Sequence, residues 1–541
     1  MNSAGSPSLR ASNLAQLSGS TLDVAILGGG INGAVIAAAL AARGARVALL
    51  ERGDFGSATS QQSSNLVWGG IKYLEGSEFG LVRKLCRSRN ELLRAFPSAV
   101  EEIRFFTTHS RDQRHPRWKL VAGTWLYWAL GGFHTRAPRR LSRAAIAREE
   151  PVIVLDGVDG GVEYSDAFLP DGDARFVWGF VRSALDRGCL AANYLEALGS
   201  HRDGEVWITR ARERVTGREL SVRSRVLVNA CGPWADEVNE RDGVSTTHRH
   251  VLSKGIHLLV DRVTPHARVL TSFADDGRLF FAIPMGGRTC IGTTDTPAER
   301  PDEGVTAADR AFVLDNINRR LRLPRPLTER DIISERCGVR PLAVDAGWTR
   351  GHDWVQLSRR HIIETNPEAR HVTVFGGKLT DCLNIGDALC AEVKRLGVRL
   401  PWPRRPWYGE PPAATRSEFE HQTRPLGLSE PAVARLWRRH GHESFALLDA
   451  IRRDPRGADE IFPPCGLLRC EVEAAARREM VVTLEDFLRR RTELAQLIRR
   501  EELEGSPELS EVTRILFGDA ASDRMAEWRG QRGGSLHAAS A

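Results

Sequence analysis

Apolar positions in this chain fall into three kinds of run, and each predicts a different element. Leu22 to Leu27 (LDVAIL) is continuously apolar and β-rich, the mark of a strand buried on both faces. It meets Gly28-Gly29-Gly30-Ile31-Asn32-Gly33 and then an Ala-rich helical stretch, Ala34 to Ala42, which Gly44 closes before a second strand, Arg46 to Leu50, ends at Glu51. Arg225 to Asn229 (RVLVN) and Val372 to Phe375 (VTVF) are further buried runs, and each enters a glycine-bearing turn. Alternating runs at His250 to Val260, Val269 to Ile283, Thr289 to Thr293 and Trp354 to Glu364 predict a separate antiparallel sheet. After a proline-rich linker from Pro401, helical periodicity takes over at Glu430 to His440, Ser444 to Arg453, Val472 to Glu479 and Leu484 to Glu501.

The first unit, strand, GxGxxG, helix, strand and acid, is spaced as a βαβ dinucleotide fold. Gly28 serves the tight turn, Gly30 the approach of backbone to a pyrophosphate, and Gly33 close helix packing. Glu51 is placed to accept hydrogen bonds from the hydroxyls of an adenosine ribose. NAD and FAD share this unit, but a sheet assembled from pieces about 200 and 345 residues apart fits a flavoprotein better than a compact NAD domain.

Composition narrows the remaining classes. The 541 residues, 42% of them hydrophobic, suffice for two or three domains. A net charge of +7 is too dilute for a dedicated nucleic-acid binder and permits attraction to anionic metabolites or lipid. Only six of the 76 basic residues are lysines, so arginine is the background cation and Lys72, Lys254 and Lys378, which lie in motifs, stand out. Nine scattered cysteines form no metal pattern and read as packed, reduced thiols. Residues 1–20 lack a signal-like apolar core and read as a disordered lead. Leu120 to Phe133 (LVAGTWLYWALGGF), flanked by arginines, is too short to span a bilayer and reads as a buried helix or an interfacial anchor.

The order of DVAILGGGINGAVIA, SATSQQSSNLVWGGIKYLE, VEYSDAFL, LVNACGPW, KGIHLLV, FFAIP, IGTTDT, GVRPL, VFGGKLTD and REMVVTLEDFLRRRTEL resembles the FAD-dependent glycerol-3-phosphate dehydrogenases, within the wider group that includes D-amino-acid and glycine oxidases. That resemblance, from about Asp23 to Ile498, implies an α/β (α+β) fold: a Rossmann-like FAD-binding domain, an interleaved antiparallel-sheet substrate domain and a C-terminal α-helical domain. The expected boundaries are 21–75, 151–235 and 335–400 for the first, 76–150 and 236–334 for the second, a linker at 401–415, helices over 416–520 and a flexible tail at 521–541. It implies oxidation of sn-glycerol 3-phosphate to dihydroxyacetone phosphate, with electrons passed to a quinone-type acceptor. The packed, reduced thiols read as those of a cytoplasmic protein, the arginine-flanked apolar run keeps peripheral contact with an anionic membrane in view, and oligomeric state stays open, a homodimer included.

The resemblance assigns Gly28, Gly30, Ile31, Asn32, Gly33, Glu51 and Arg52 to the adenosine diphosphate end of FAD. Thr59, Ser60, Ser63, Ser64 and Asn65 would lie along ribityl and pyrophosphate, with Gly69 and Gly70 close to the isoalloxazine. Ala230 and Gly232 line the cofactor from another strand end, and Gly376, Gly377, Lys378, Leu379 and Thr380 meet the ring from the other side. Oxidising a phosphorylated secondary alcohol needs an oxyanion clamp, a proton acceptor and a cation near the reduced flavin. Arg340 and Arg359 are the candidate clamp, His257 the base, Lys378 the cation, and Tyr73 and Lys72 further substrate contacts. Three positions depart from the family: Lys72 where Arg is usual, Trp68 where His is usual, and Thr380-Asp381-Cys382-Leu383 in place of a TTYR sequence. These departures keep two alternatives open, a same-fold enzyme acting on another 2-hydroxy acid, polyol phosphate or amino acid, and a non-catalytic flavin-binding sensor or subunit.

Overall fold

The computed structural model describes residues 8–113, 115–349 and 360–531. Its first sheet runs in the order Ile362–Asn366, His371–Phe375, Glu219–Asn229, Leu22–Leu27, Val47–Leu50, Leu190–Ala192, and its four inner pairings are parallel. The glycine-led helix Ile31–Ala41 is fully buried from Gly33 onward, between helices Asp173–Leu185 and Cys382–Arg395. Its run of alanines is explained by that burial, because small side chains let three helices and a sheet meet closely.

The second sheet runs Thr296–Ala298, His248–Asp261, Arg288–Gly292, Leu279–Met285, Val269–Phe273, Glu101–Ser110, Val158–Phe168, Leu66–Val67, with Ser334–Asp345 on the other edge of His248–Asp261. All its pairings are antiparallel except Val269–Phe273 beside Glu101–Ser110. Mixed α/β architecture and a helical C-terminal region are as expected. Helices Glu430–His440 and Ser444–Arg453 begin and end where the periodicity places them, the first capped by the Ser429 hydroxyl accepting from Ala432 N–H.

Several expected boundaries are corrected. Val158–Phe168 and Ser334–Asp345, assigned in sequence to the cofactor domain, are strands of the second sheet. The described end of the Trp354 to Glu364 run goes the other way: Ile362–Asn366 pairs with His371–Phe375 in the first sheet. The lead contains a helix, Leu9–Leu17, pinned where the Arg10 guanidinium meets Glu213 and where Asn13 donates to the Ala191 carbonyl at 2.8 Å. The tail contains the helix Ala521–Gly530, whose Trp528 is buried. The long helix expected over Leu484 to Glu501 is instead a buried π-helical turn, Asp486–Arg491, followed by Leu494–Leu497 and Arg500–Glu504. The run Leu120 to Phe133 lies in a helix, Arg117–Leu130, that buries only Thr124 and Tyr127 and leaves Trp118, Trp125, Leu126 and nearby Phe133 exposed.

The proline-rich linker is tacked down. Trp407 is buried against Phe180, donates to Asp387 at 3.0 Å, and occupies the space over Gly386, where a Cβ would come within 2.5 Å of the indole. Gly386→Val is therefore expected to destabilise the protein by about 1–3 kcal/mol, the usual cost of overpacking, and to speed tryptic cleavage after Arg404. Urea unfolding and timed proteolysis check this.

Candidate active site

The cofactor end is built by glycines that a side chain would obstruct. A Cβ on Gly28, at φ +98°, would sit 2.6 Å from the Ala230 carbonyl oxygen, and one on Gly33 would sit 1.8 Å from the Gly28 oxygen. Strand end and helix start are thus pressed together, leaving the N-terminus of Ile31–Ala41 facing a cleft of about 630 Å³. Gly28, Gly30, Ile31, Asn32, Glu51, Arg52, Thr59, Ser60, Ala230, Gly232, Gly376 and Gly377 line it. Glu51 accepts from the N–H groups of Gly29 at 2.6 Å and Gly53 at 2.7 Å; burial raises its pKa against these two bonds. Each carboxylate oxygen keeps a lone pair for a ribose hydroxyl. The buried Asn32 Oδ1, beside Gly377, has no hydrogen-bond partner among the described residues. A narrow cleft with a glycine floor, an acid at one end and an orphaned acceptor fits a dinucleotide, and these residues fit FAD.

Other expected cofactor residues do different work. Gly33 packs on Gly28 and does not line the cleft. Ser60 Oγ accepts from Ile31 N–H at 3.0 Å, and Ser63 Oγ accepts from Asn65 N–H at 3.1 Å. The Asn65 side chain, on a residue with φ 57°, is held by Arg336 at 2.8 Å and Glu493 at 3.3 Å. Its amide is therefore engaged by the protein, as is the Ser63 hydroxyl; Ser64 is half-buried on the same loop. Gly69 donates to Asp166 at 3.1 Å, and a Cβ there would meet the Tyr127 hydroxyl at 2.2 Å. Asp166 is fully buried, bonded also to Arg89 at 2.7 Å and Tyr127 at 2.8 Å, so a buried three-residue network braces the Gly69-Gly70 backbone. The sequence signals this network only by an acid inside the apolar strand VEYSDAFL.

The substrate end follows from strand register. Ser253 faces Arg340, Gly255 faces Gly338, and His257 faces Arg336, so these six residues share one face of the sheet. The central Gly255–Gly338 pair opens a gap in that face. The Arg340 guanidinium lies across Gly255, where a Cβ would come within 2.0 Å of it, while Gln62 covers Gly338. Arg340 also reaches Asp295 at 3.4 Å and Thr293 at 3.3 Å. His257 is buried, and its Nδ1 has no hydrogen-bond partner among the described residues. Burial, then the charges of Arg340 and Arg336, push its pKa down to about 3.

Lys378 follows the Gly376-Gly377 turn that lines the cofactor cleft. Its ammonium lies 4.2 Å from the Tyr73 ring centroid and 5.3 Å from that of Trp68. Thr380 donates to the Trp68 carbonyl at 3.1 Å, and Leu379 opens the same short turn. Lys72 and Tyr73 are half-buried on the turn Ile71–Leu74. Asp381 ties the loop outward, to His361 at 2.5 Å, Asn384 at 2.6 Å and Lys84 at 3.3 Å. Trp68, one departure from the family, is thus tied through its carbonyl to Thr380, the residue before Asp381. Lys254, conspicuous in sequence, is a buried ion pair with Asp309 at 2.9 Å. Arg359 lies outside the described residues. Among those residues no cluster of metal ligands occurs, and burial raises the Cys231 thiol to about 12, as for a packed cysteine.

Comparisons with known proteins identify the chain's relatives. Residues 23–383 match the family model "FAD dependent oxidoreductase", and 406–518 match "C-terminal domain of alpha-glycerophosphate oxidase". Glycerol-3-phosphate dehydrogenase 2 of Mycobacterium tuberculosis is 31% identical over 96% of this chain and 88% of its own. D-erythritol 1-phosphate dehydrogenase of Brucella abortus is 30% identical over 87% of this chain and 94% of its own. The crystal structure of a glycerol-3-phosphate dehydrogenase from Bacillus halodurans, complexed with FAD, superposes with a TM-score of 0.73 at 24% identity, covering 97% of both chains.

The electrostatics of His257 give a direct expectation. Its folded pKa is depressed, so between about pH 6.5 and about 3 the unfolded chain binds the extra proton. Its contribution to stability is complete above that window and is lost as pH falls through it. NMR of ring-labelled histidine should show His257 neutral throughout pH 5 to 8, and a titration near 6.5 would contradict the burial argument.

Proposed function

Because the chain belongs to the FAD-dependent oxidoreductase family and carries the C-terminal domain of alpha-glycerophosphate oxidase, we propose that it oxidises sn-glycerol 3-phosphate to dihydroxyacetone phosphate and delivers the electrons to a quinone-type acceptor. The observation that carries this reading is the notch over Gly255 and Gly338, where an arginine fork and a neutral buried imidazole share one face. FAD, when bound, supplies the two-electron acceptor for hydride.

In this reading Arg340 binds the phosphate, joined by Arg359, since a guanidinium matches an oxyanion bidentately. His257 Nδ1, which has no hydrogen-bond partner among the described residues, would accept the proton of the substrate hydroxyl. A bound phosphate dianion would offset the charge of Arg340, which is a named cause of the low His257 pKa. Substrate binding would thereby raise the proton affinity of the base when it is needed. Lys378 and Tyr73 bound the site from the other side and orient the substrate oxygen. The Arg-to-Lys exchange at position 72 and the erythritol-phosphate relative favour one second reading, a longer polyol phosphate as substrate.

Anaerobic bleaching of the flavin tests both readings. Glycerol 3-phosphate should bleach it within seconds. Bleaching by a four-carbon polyol phosphate alone would select the second reading, and no bleaching by either would overturn both. Arg340→Ala should raise KM at least tenfold, with flavin content intact, from loss of a charged hydrogen-bonded contact of about 1.5–3 kcal/mol.

Among the described residues no helix is long and apolar enough to cross a membrane. The exposed Trp125, Leu126 and Phe133 adjoin a cleft of about 960 Å³ lined by Arg83, Lys84, Arg87 and Arg94. This apolar ridge beside a basic cleft supports peripheral attachment to an anionic membrane, where a quinone acceptor resides. Sedimentation with vesicles containing phosphatidylglycerol should be strong at low salt and should fall in the Trp125→Glu, Leu126→Glu double variant. Equal sedimentation of the two proteins would refute the attachment.

A further inference from the structure

The cofactor cleft is not closed by the first 400 residues alone. Thr483, Arg490, Arg524 and Glu527 of the C-terminal region line it. They lie on the side of Glu51 and Gly53, because Tyr194, whose N–H donates to the Gly53 carbonyl at 2.7 Å, donates its hydroxyl to Asp486 at 2.7 Å.

The loop Ser57–Asn65 is held from behind by the same region. Arg489 donates to the Gln61 carbonyl and to Gln62 Oε1, and Arg490 to Gln61 Oε1 at 3.3 Å. Glu493 accepts from Asn65, and Gln496 accepts from Arg336, whose guanidinium also bonds Ser63 and Asn65. Arg490 and Arg491 are anchored on the buried Asp54 at 2.7 and 2.8 Å, beside the first strand-helix unit. Arg489 differs from its two neighbours. It is buried yet has no carboxylate within ion-pair distance among the described residues, and both hydrogen bonds from its Nη2 end on the loop. Burying a cation on a carbonyl and an amide is costly for stability alone, where an apolar side chain of similar volume would pack as well.

We propose that the C-terminal domain is a working part of the cofactor site, in which Arg489 is a positioning residue for the loop Ser57–Asn65 and Arg524 helps wall the ribose end of the cleft. The domain then sets how tightly and how slowly FAD is exchanged, whichever alcohol is oxidised. The mechanism is preorganisation: a loop already fixed by the protein adds no ordering cost when the cofactor binds.

The test uses the full-length holoenzyme and reads FAD release by recovery of flavin fluorescence after dilution, the visible circular dichroism of bound flavin, and thermal unfolding of the apoprotein. Arg489→Met should speed FAD release about tenfold or more and change the visible dichroism, and Arg489→Lys should restore most of both. Arg524→Ala, at a partly exposed site, should speed release severalfold while the apoprotein melts as before. Arg435→Ala, which breaks a C-terminal ion pair with Glu460 away from the cleft, should leave release unchanged. Release within twofold of the parent in both Arg489→Met and Arg524→Ala would overturn the proposal, whatever happens to melting. If Arg489→Met does not fold, Arg524→Ala decides alone, unchanged release again overturning it.

Discussion

The pairing of Ser334–Asp345 with His248–Asp261 is the constraint on which the rest of the site depends. Twelve residue pairs fix it, and its centre is a pair of facing glycines. A slip of one residue would turn Arg336 and Arg340 to the face opposite His257 and break the match of the two glycines. The same strand touches the cofactor side, since Thr59 donates to the Val339 carbonyl at 2.7 Å and Gln62 covers Gly338. The loop that turns at Gly376 closes the other side, where a Cβ would meet the Arg360 carbonyl at 2.9 Å. One register therefore positions the candidate base, the candidate phosphate clamp and the cofactor loop together.

Charge balance around that register explains why an uncharged imidazole can sit there. His257 has guanidiniums on two sides, Arg340 across the gap and Arg336 opposite it. Arg336 is fully buried and turned toward the cofactor loop and Gln496; its closest carboxylate, on Glu493, is 3.7 Å away. Burial raises the Glu493 pKa to about 7 despite that neighbour. The region is thus short of negative charge, a condition that favours binding an anion and disfavours a protonated histidine.

Much of this was legible in the chain. The run from Leu22 to Glu51 specifies its own topology because strand, turn glycines and alanine helix are contiguous. Helices at Glu430–His440 and Ser444–Arg453 are bounded by local caps and periodicity, which sequence carries directly. What stayed hidden is long-range. Val158–Phe168 reads as a buried strand in either sheet, and only its partner Glu101–Ser110 decides which. Leu484 to Glu501 reads as an amphipathic helix, because nothing local announces that Asp54, more than 400 residues earlier, will take Arg490 and Arg491 into the interior. The exposed Arg117–Leu130 helix is the converse, an apolar run that the fold leaves outside.

An arginine-rich composition makes this blindness systematic. When nearly every surface cation is arginine, a buried structural guanidinium, a substrate clamp and a solvated surface group look alike in sequence. The structure separates them by what surrounds them. Arg490 and Arg491 share a buried carboxylate and are structural pairs, whose breaking would strand charge in the interior. Arg340 lies across Gly255, with Asp295 at 3.4 Å and Thr293 at 3.3 Å. The surface arginines of helix Phe79–Ala95 surround a solvent-filled cleft. Lysine behaves differently: of the three in motifs, Lys254 is consumed by Asp309, while Lys378 lies over the rings of Tyr73 and Trp68. Rarity marked both positions as constrained, and only geometry assigned one to a buried ion pair and the other to an aromatic pair.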